Sequence, residues 1–194
     1  MPNKEIDVLM VGVGGQGAIL ASKILAQVAQ DQNYEVKVSE IHGMAQRGGS
    51  VVTHVRIGDR VHAPIISEGK ADVILAFERL EALRWVHYLK PGGAIIINDQ
   101  TIAPVPVLLG LQQYPAGIIE EVRKHVPGTI TLDALELARQ SGNDKASNVV
   151  LIGVLARRMD IPKDAWISAL EKKVPAKFLE ANQKAFEMGW AAGA

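Results

Sequence analysis

The chain has 194 residues, 48% of them hydrophobic, with 21 basic side chains against 21 acidic ones and so no formal net charge at neutral pH. That length suits one domain with its own core, and the balanced charge excludes the basic excess that nucleic acid or an acidic membrane surface selects. There is no cysteine, which excludes disulfides and thiolate-held iron–sulfur clusters within the chain.

The start of the chain runs into an apolar strand without the zones of a signal peptide, and no apolar run reaches membrane-spanning length, so a cytoplasmic location is expected. Ile6 to Val11 reads as a short strand buried on both faces. Gly12, Gly14, Gly15 and Gly17 follow at once, and Leu20, Ile24 and Val28 then recur four apart, the spacing of a helix. Glu35 to Ser39 alternates as a second strand, and residues 40–50, with three glycines and no regular period, read as a loop. Val51 to Ile57 is β-branched and alternating; Gly58-Asp59 is a turn signal from which Arg60 to Ala63 returns, which predicts a β-hairpin over 51–63.

Asp72 to Phe77 is a further buried strand, Leu80 to Leu89 a helix, Pro91-Gly92-Gly93 a turn and Ala94 to Asn98 a strand. Three prolines make Thr101 to Pro115 irregular. Ile118 to His125 is helical, Thr129 to Thr131 a short strand, and Asp133 is placed to N-cap a helix ending at Gly142. Ser147 to Met159 is apolar almost all round, so it is covered on every side by the core or by a partner; Gly153 in its middle implies close packing. Amphipathic helices at Lys163–Val174 and Pro175–Met188 finish the chain. Strands alternating with helices predict an α/β fold: a Rossmann-like open, mostly parallel sheet with helices on both faces and an inserted β-hairpin, in a single domain over 1–194.

Gly12, Gly14 and Gly17 have the spacing of a dinucleotide fingerprint between strand and helix, and Glu40 ends the second strand roughly twenty residues further on, where an acid holds ribose hydroxyls. Against a dinucleotide, the second strand leads into a long glycine loop instead of another helix, and Gln16 with the Gly14-Gly15 pair makes the turn tighter than the fingerprint requires. Three readings stay open: an anion or phosphate at the helix N-terminus, an NAD-type dinucleotide, or a tight turn that holds nothing. The loop beyond Glu40 carries His42, Gly43, Gln46, Arg47, Gly48 and Gly49 directly after a strand, where open α/β sheets place ligand sites. Arg47 suits a phosphate or carboxylate; equally, Arg47 and Glu40 can satisfy the loop backbone and each other.

VGVGGQGAILASKIL followed by VKVSEIHGMAQRGGSVVTHVRIG resembles the gamma-type subunit of 2-oxoacid:ferredoxin oxidoreductases, and the His42–Gly49 form is most similar to the small subunit of the indolepyruvate type. The likeness continues through ADVILAFERLEALRWVHYLKPGGAIIIND, NVVLIGVLA and VPAKFLEANQKAFEMG, and is least diagnostic over 101–131. The resemblance implies a subunit of a complex that decarboxylates a 2-oxoacid oxidatively with coenzyme A, giving an acyl-CoA, carbon dioxide and reduced ferredoxin. In that family thiamine diphosphate, held with Mg2+ by a Gly-Asp-Gly and a distant Asn, carries the carbanion, and iron–sulfur clusters take the electrons. No Gly-Asp-Gly and no cysteine occur in this chain, so these cofactors are expected on a large partner subunit, and ferredoxin is met only indirectly. The expected site residues are Gly12, Gly14, Gly15, Gln16, Gly17, Glu40, His42, Gly43, Gln46, Arg47, Gly48, Gly49 and Asn148, with no catalytic residue assigned.

His42, His54, His62, His87 and His125 form no spaced metal set; His54 and His62 flank the predicted hairpin turn and can face each other. Ser147 or Asn148 can cap the apolar helix, or Asn148 can reach the ligand loops. Trp85, Trp166 and Trp190 read as packing residues or interface anchors. Two alternatives to the oxidoreductase subunit are kept: a stand-alone Rossmann-type NAD(P)-binding protein, and a scaffold subunit with an empty glycine turn. In isolation a homodimer through the apolar helices is expected, since surface meant for a partner finds another.

Overall fold

The computed structural model describes residues 5–43 and 48–193. In chain order it contains β1 (Ile6–Val13), α1 (Ala18–Asp31), β2 (Glu35–His42), β3 (Ser50–Gly58), β4 (Ala71–Ala76) and α2 (Arg79–Trp85), the last extended by a single 3-10 turn at Val86–Tyr88. β5 (Leu89–Asn98), α3 (Val105–Leu108), α4 (Ile118–His125), β6 (Ile130–Leu132) and α5 (Ala134–Gln140) follow, then α6 (Ser147–Arg158), α7 (Lys163–Lys173) and α8 (Ala176–Ala192).

The strands form one sheet in the order β2-β3-β1-β4-β5-β6. β1, β4, β5 and β6 pair in parallel, while β3 is antiparallel to both β1 and β2, so it alone runs against the rest. The mostly parallel α/β sheet is thus as expected, but its antiparallel element is built differently. β3 spends both of its edges on β1 and β2, from Ile6↔Ile57 to Val13↔Ser50 on one side and from Glu35↔Gly58 to His42↔Val51 on the other. No edge is left for Arg60 to Ala63, which lie outside regular structure; the partner of β3 is β2, joined through the loop after His42. His54 and His62 therefore do not face each other. His54 is buried, its Nδ1 accepting the Ile66 N–H at 3.2 Å, and His62 lies in the loop beyond the strand.

Alternation along the strands divides the core in two. Val8, Met10, Val55, Leu75 and Ile96 face α1, α6, α7 and α8; Leu9, Val11, Val52, Ile74 and Ile97 face α2 and α4. Helices therefore cover both faces. α6 is buried from Asn148 through Ala156, and its cover comes from this chain's own core. The contact is close because it is made backbone to backbone: a Cβ on Gly153 would strike the Phe186 carbonyl oxygen, and one on Gly189 would fall on the Val150 carbonyl. Asp133 caps α5 by accepting the Glu136 N–H at 2.9 Å. Trp166 is fully buried against Phe186, and Trp190 packs tilted against Phe186 with the cations Arg157 and Lys163 over its ring, so both are packing residues. Among the described residues no helix is long and apolar enough to cross a membrane.

Candidate functional site

Open α/β sheets expose ligand-binding loops at the carboxyl ends of their parallel strands, and here the ends of β1, β4, β5 and β6 are Val13, Ala76, Asn98 and Leu132. Past Phe77, whose N–H donates to the Val11 carbonyl at 2.8 Å, the β1–β4 ladder would next join the Val13 N–H to the Phe77 carbonyl. The strands splay, and the side-chain amide of Gln16 takes the place of that rung. Its Oε1 accepts the Val13 N–H at 2.7 Å, and its Nε2 donates to the Phe77 carbonyl at 2.8 Å and to Gln100 Oε1 at 3.0 Å. Asn98 extends the network: its Nδ2 donates to the Phe77 carbonyl and to Gln100 Oε1, each at 3.1 Å, and its Oδ1 accepts the Ala134 N–H at the start of α5.

This network accounts for part of the glycine pattern. A Cβ on Gly12 would stand 2.9 Å from both Gln16 Oε1 and Phe77 Cβ, so Gly12 makes room for the inserted amide. Gly17 has φ 84, in the left-handed region that L side chains rarely adopt, and a Cβ there would lie 2.6 Å from Asn148 Nδ2. Asn148 is buried and donates to the Gly17 carbonyl at 3.1 Å. It reaches the glycine turn instead of capping α6, whose N-cap position is Ala146.

The turn is also tied to the end of the following loop. The Gly14 N–H donates to the Gly49 carbonyl at 2.8 Å and the Gly48 N–H to the Gly14 carbonyl at 3.4 Å, which carries the β1–β3 ladder one step past Val13↔Ser50. Ser50 Oγ in turn donates to the buried Glu81, a carboxylate that also receives Arg84 and the Trp85 indole N–H. Gly14, Gly48, Gly49 and Ser50 are thus held as one unit on α2.

Beside this unit is a pocket of about 390 Å³, within the usual range for small-molecule sites. Gly14 to Ile19 form its floor, and Glu40, His42 and Val51 its wall. The structure therefore brings together Gly14, Gly15, Gln16, Gly17, Glu40 and His42; Gly12 and Asn148 stand behind them as supports, and Gly48 and Gly49 are bonded to Gly14 without lining the pocket. Gly43 follows β2, its carbonyl 3.0 Å from His42 Nδ1. Gln46 and Arg47 lie outside the described residues. Glu40 and His42 belong to β2, so the strand runs three residues into the segment expected to be loop.

Among the described residues no side chain caps α1, whose N-cap is Gly17, and the helix turns main-chain N–H groups and the positive end of its dipole to the pocket. Among the described lining residues there is no Lys or Arg, and Glu40 adds a carboxylate. The geometry also departs from a dinucleotide site. With β3 wedged between β1 and β2, Glu40 stands two strand spacings, about 10 Å, from the glycine turn instead of one. Gln100 and Asn98 are the supports that sequence reading missed; the hydrogen bond from Gln16 to Gln100 spans 84 positions, and no local pattern marks it.

The pyruvate ferredoxin/flavodoxin oxidoreductase family profile matches residues 7–192. The chain is 42% identical over 193 residues to the indolepyruvate oxidoreductase subunit IorB of Pyrococcus horikoshii, covering 96% of this chain and 95% of that protein. It is 42% identical over 190 residues to the subunit of the same name from Archaeoglobus fulgidus, covering 96% and 94%. The solved structure of the keto/oxoacid ferredoxin oxidoreductase gamma subunit from Geobacter sulfurreducens superposes with a TM-score of 0.72 at 26% identity, over 97% of this chain and 98% of that one.

Proposed function

The chain belongs to the pyruvate ferredoxin/flavodoxin oxidoreductase family, and from that premise we propose that it is the small subunit of a CoA-dependent 2-oxoacid:ferredoxin oxidoreductase acting on an indolepyruvate-like acid. The complex converts the oxoacid and coenzyme A to an acyl-CoA and carbon dioxide and passes the electrons to ferredoxin, in the cytoplasm. The observation that carries this reading is near-full-length similarity to subunits of that name, joined to what the chain lacks.

The residues present do not fit the family's redox groups. There is no thiolate for a cluster and no Gly-Asp-Gly for a magnesium pyrophosphate. Among the described residues no group of three or more His, Asp or Glu is placed to hold a metal. Thiamine diphosphate, Mg2+ and the clusters therefore belong on the large partner, and no chemical step is assigned to a residue of this chain. Its contribution is the glycine-turn pocket and the loop beside it. We place the segment of residues 40–50, the end of β2 and the loop after it, against the partner's active site, with the main-chain N–H groups of the turn and Arg47 as contacts for an anionic part of coenzyme A.

The test is Arg47→Ala in the assembled complex. The expected result is a raised KM for coenzyme A with kcat and assembly retained; unchanged KM and unchanged assembly would remove that role. A second reading has its own observation in support. Gly12 is accounted for by the Gln16 amide and Gly17 by Asn148, as in a scaffold subunit whose turn holds nothing. That reading expects coenzyme A dependence to be indifferent to every change in the 40–50 loop.

A further inference from the structure

From Gln100 to Ile119 the chain carries no charged side chain, although 22% of its residues overall are charged. The middle of this stretch does not fold into the core. Val105, Leu108, Leu109 and Leu111 are 62%, 72%, 67% and 75% exposed, on the single turn α3 and the residues after it. Loss of charge combined with exposed aliphatic side chains marks the buried centre of an interface rather than an ordinary solvated loop.

The segment is also held firmly at its neck. Glu78, 1% exposed, uses one carboxylate oxygen to accept the Ile102 N–H at 3.1 Å and the Tyr114 hydroxyl at 2.5 Å, while its other oxygen accepts the Glu81 N–H at 3.0 Å. One buried group thus gathers both ends of the excursion, and the apolar tip between them projects as a pre-formed knob. A fixed knob loses less conformational freedom on docking than a loose loop.

We propose that this knob, residues 103–113, is the element by which the chain seats in an apolar groove of the cluster-bearing large subunit; the proposal rests on the subunit reading above. The placement favours that occupant. The knob springs from the carboxyl end of β5, at the same end of the sheet as the glycine turn, and its base is bonded to the pocket through Gln100 and Gln16. A partner seated on the knob thereby also overhangs the pocket. Four aliphatic residues, 62–75% exposed, are too few to supply by themselves the about 800 Å² per partner that a stable interface buries. A second copy meeting knob to knob has nothing else to bury and falls short. A larger partner that encloses the knob and the pocket rim reaches the required area.

The test is the double substitution Leu108→Asp/Leu111→Asp, co-produced with the thiamine diphosphate- and cluster-bearing subunit of the same cell, with Leu111→Ile as the conservative control. Because both positions are exposed, the isolated variant is expected to unfold at the wild-type temperature. Its recovery in the complex is expected to fall at least tenfold, with Leu111→Ile retained. Wild-type recovery of the aspartate variant would overturn the proposal. So would a wild-type chain that dimerises alone through these leucines while the variant still assembles with the large subunit. If the wild-type chain itself fails to join the large subunit, the subunit reading falls and the knob with it.

Discussion

Gln16→Ala removes an amide that replaces a rung of the sheet. The substitution deletes three hydrogen bonds, at 2.7, 2.8 and 3.0 Å, and leaves a half-buried backbone donor at Val13 and an acceptor shared with Asn98 at Phe77. Neutral bonds contribute about 0.5–1.5 kcal/mol each, and a buried group left without its partner costs about 1–3 kcal/mol. Partial burial and the surviving Asn98 bond to Phe77 pull the total to about 2–4 kcal/mol. Equilibrium denaturation in urea measures it as a lower midpoint at unchanged slope. Gln16→Glu sharpens the test, because a carboxylate keeps the acceptor for Val13 but faces the Phe77 carbonyl and Gln100 Oε1 with no proton to donate. Its folded-state pKa is therefore raised above the unfolded value. The variant should regain stability as pH falls through that raised pKa towards the ordinary carboxylate range, where the neutral acid donates as the amide did. A loss below about 0.5 kcal/mol for Gln16→Ala, within the range of an ordinary surface change, would refute the inserted rung.

Gly189→Ala adds helix propensity of about 1 kcal/mol, yet its methyl group meets the Val150 carbonyl. A net loss of about 2–3 kcal/mol is expected by thermal unfolding, and a gain would contradict the α6–α8 contact. Burial holds His54 below the ordinary imidazole pKa of 6.5, against a smaller upward pull from Asp7. The unfolded chain then binds the proton more readily, so stability is present above about pH 6.5 and declines as pH falls through the window below it. His54→Asn keeps an acceptor for the Ile66 N–H and does not titrate. Its stability should be flat across that window, and a wild-type curve equally flat would contradict the burial argument.

Most of the fold was readable in the sequence where local pattern and tertiary demand agree. The strand–glycine–helix opening, the Asp133 cap and the close packing at Gly153 each follow from a few adjacent residues. The hairpin over 51–63 misled because Gly58-Asp59 does turn the chain, while strand pairing is decided by which edges are free, a property of the whole sheet. Pairing of β3 with both β1 and β2 carries no local signature. The same limit applies to the site. Gly14 to Gly17 and Glu40 follow from fingerprint spacing and His42 from its place just after the second strand, and all of them line one pocket. The supports that shape it, Asn98 and Gln100, come from the end of β5 and act through bonds that no short-range pattern records. Asn148 stood between two readings, and the steric contact with Gly17 selects the one that reaches the turn.

The proposed subunit role divides the labour between this polypeptide, which lacks thiols, and a redox-bearing partner. Reconstitution measures it directly: ferredoxin reduction that depends on both the 2-oxoacid and coenzyme A, assayed for each subunit alone and for the mixture. No turnover and no bound thiamine diphosphate are expected for this chain by itself, with activity appearing when the large subunit is added. Thiamine diphosphate carried by the isolated chain, with oxoacid turnover in the absence of any partner, would contradict it.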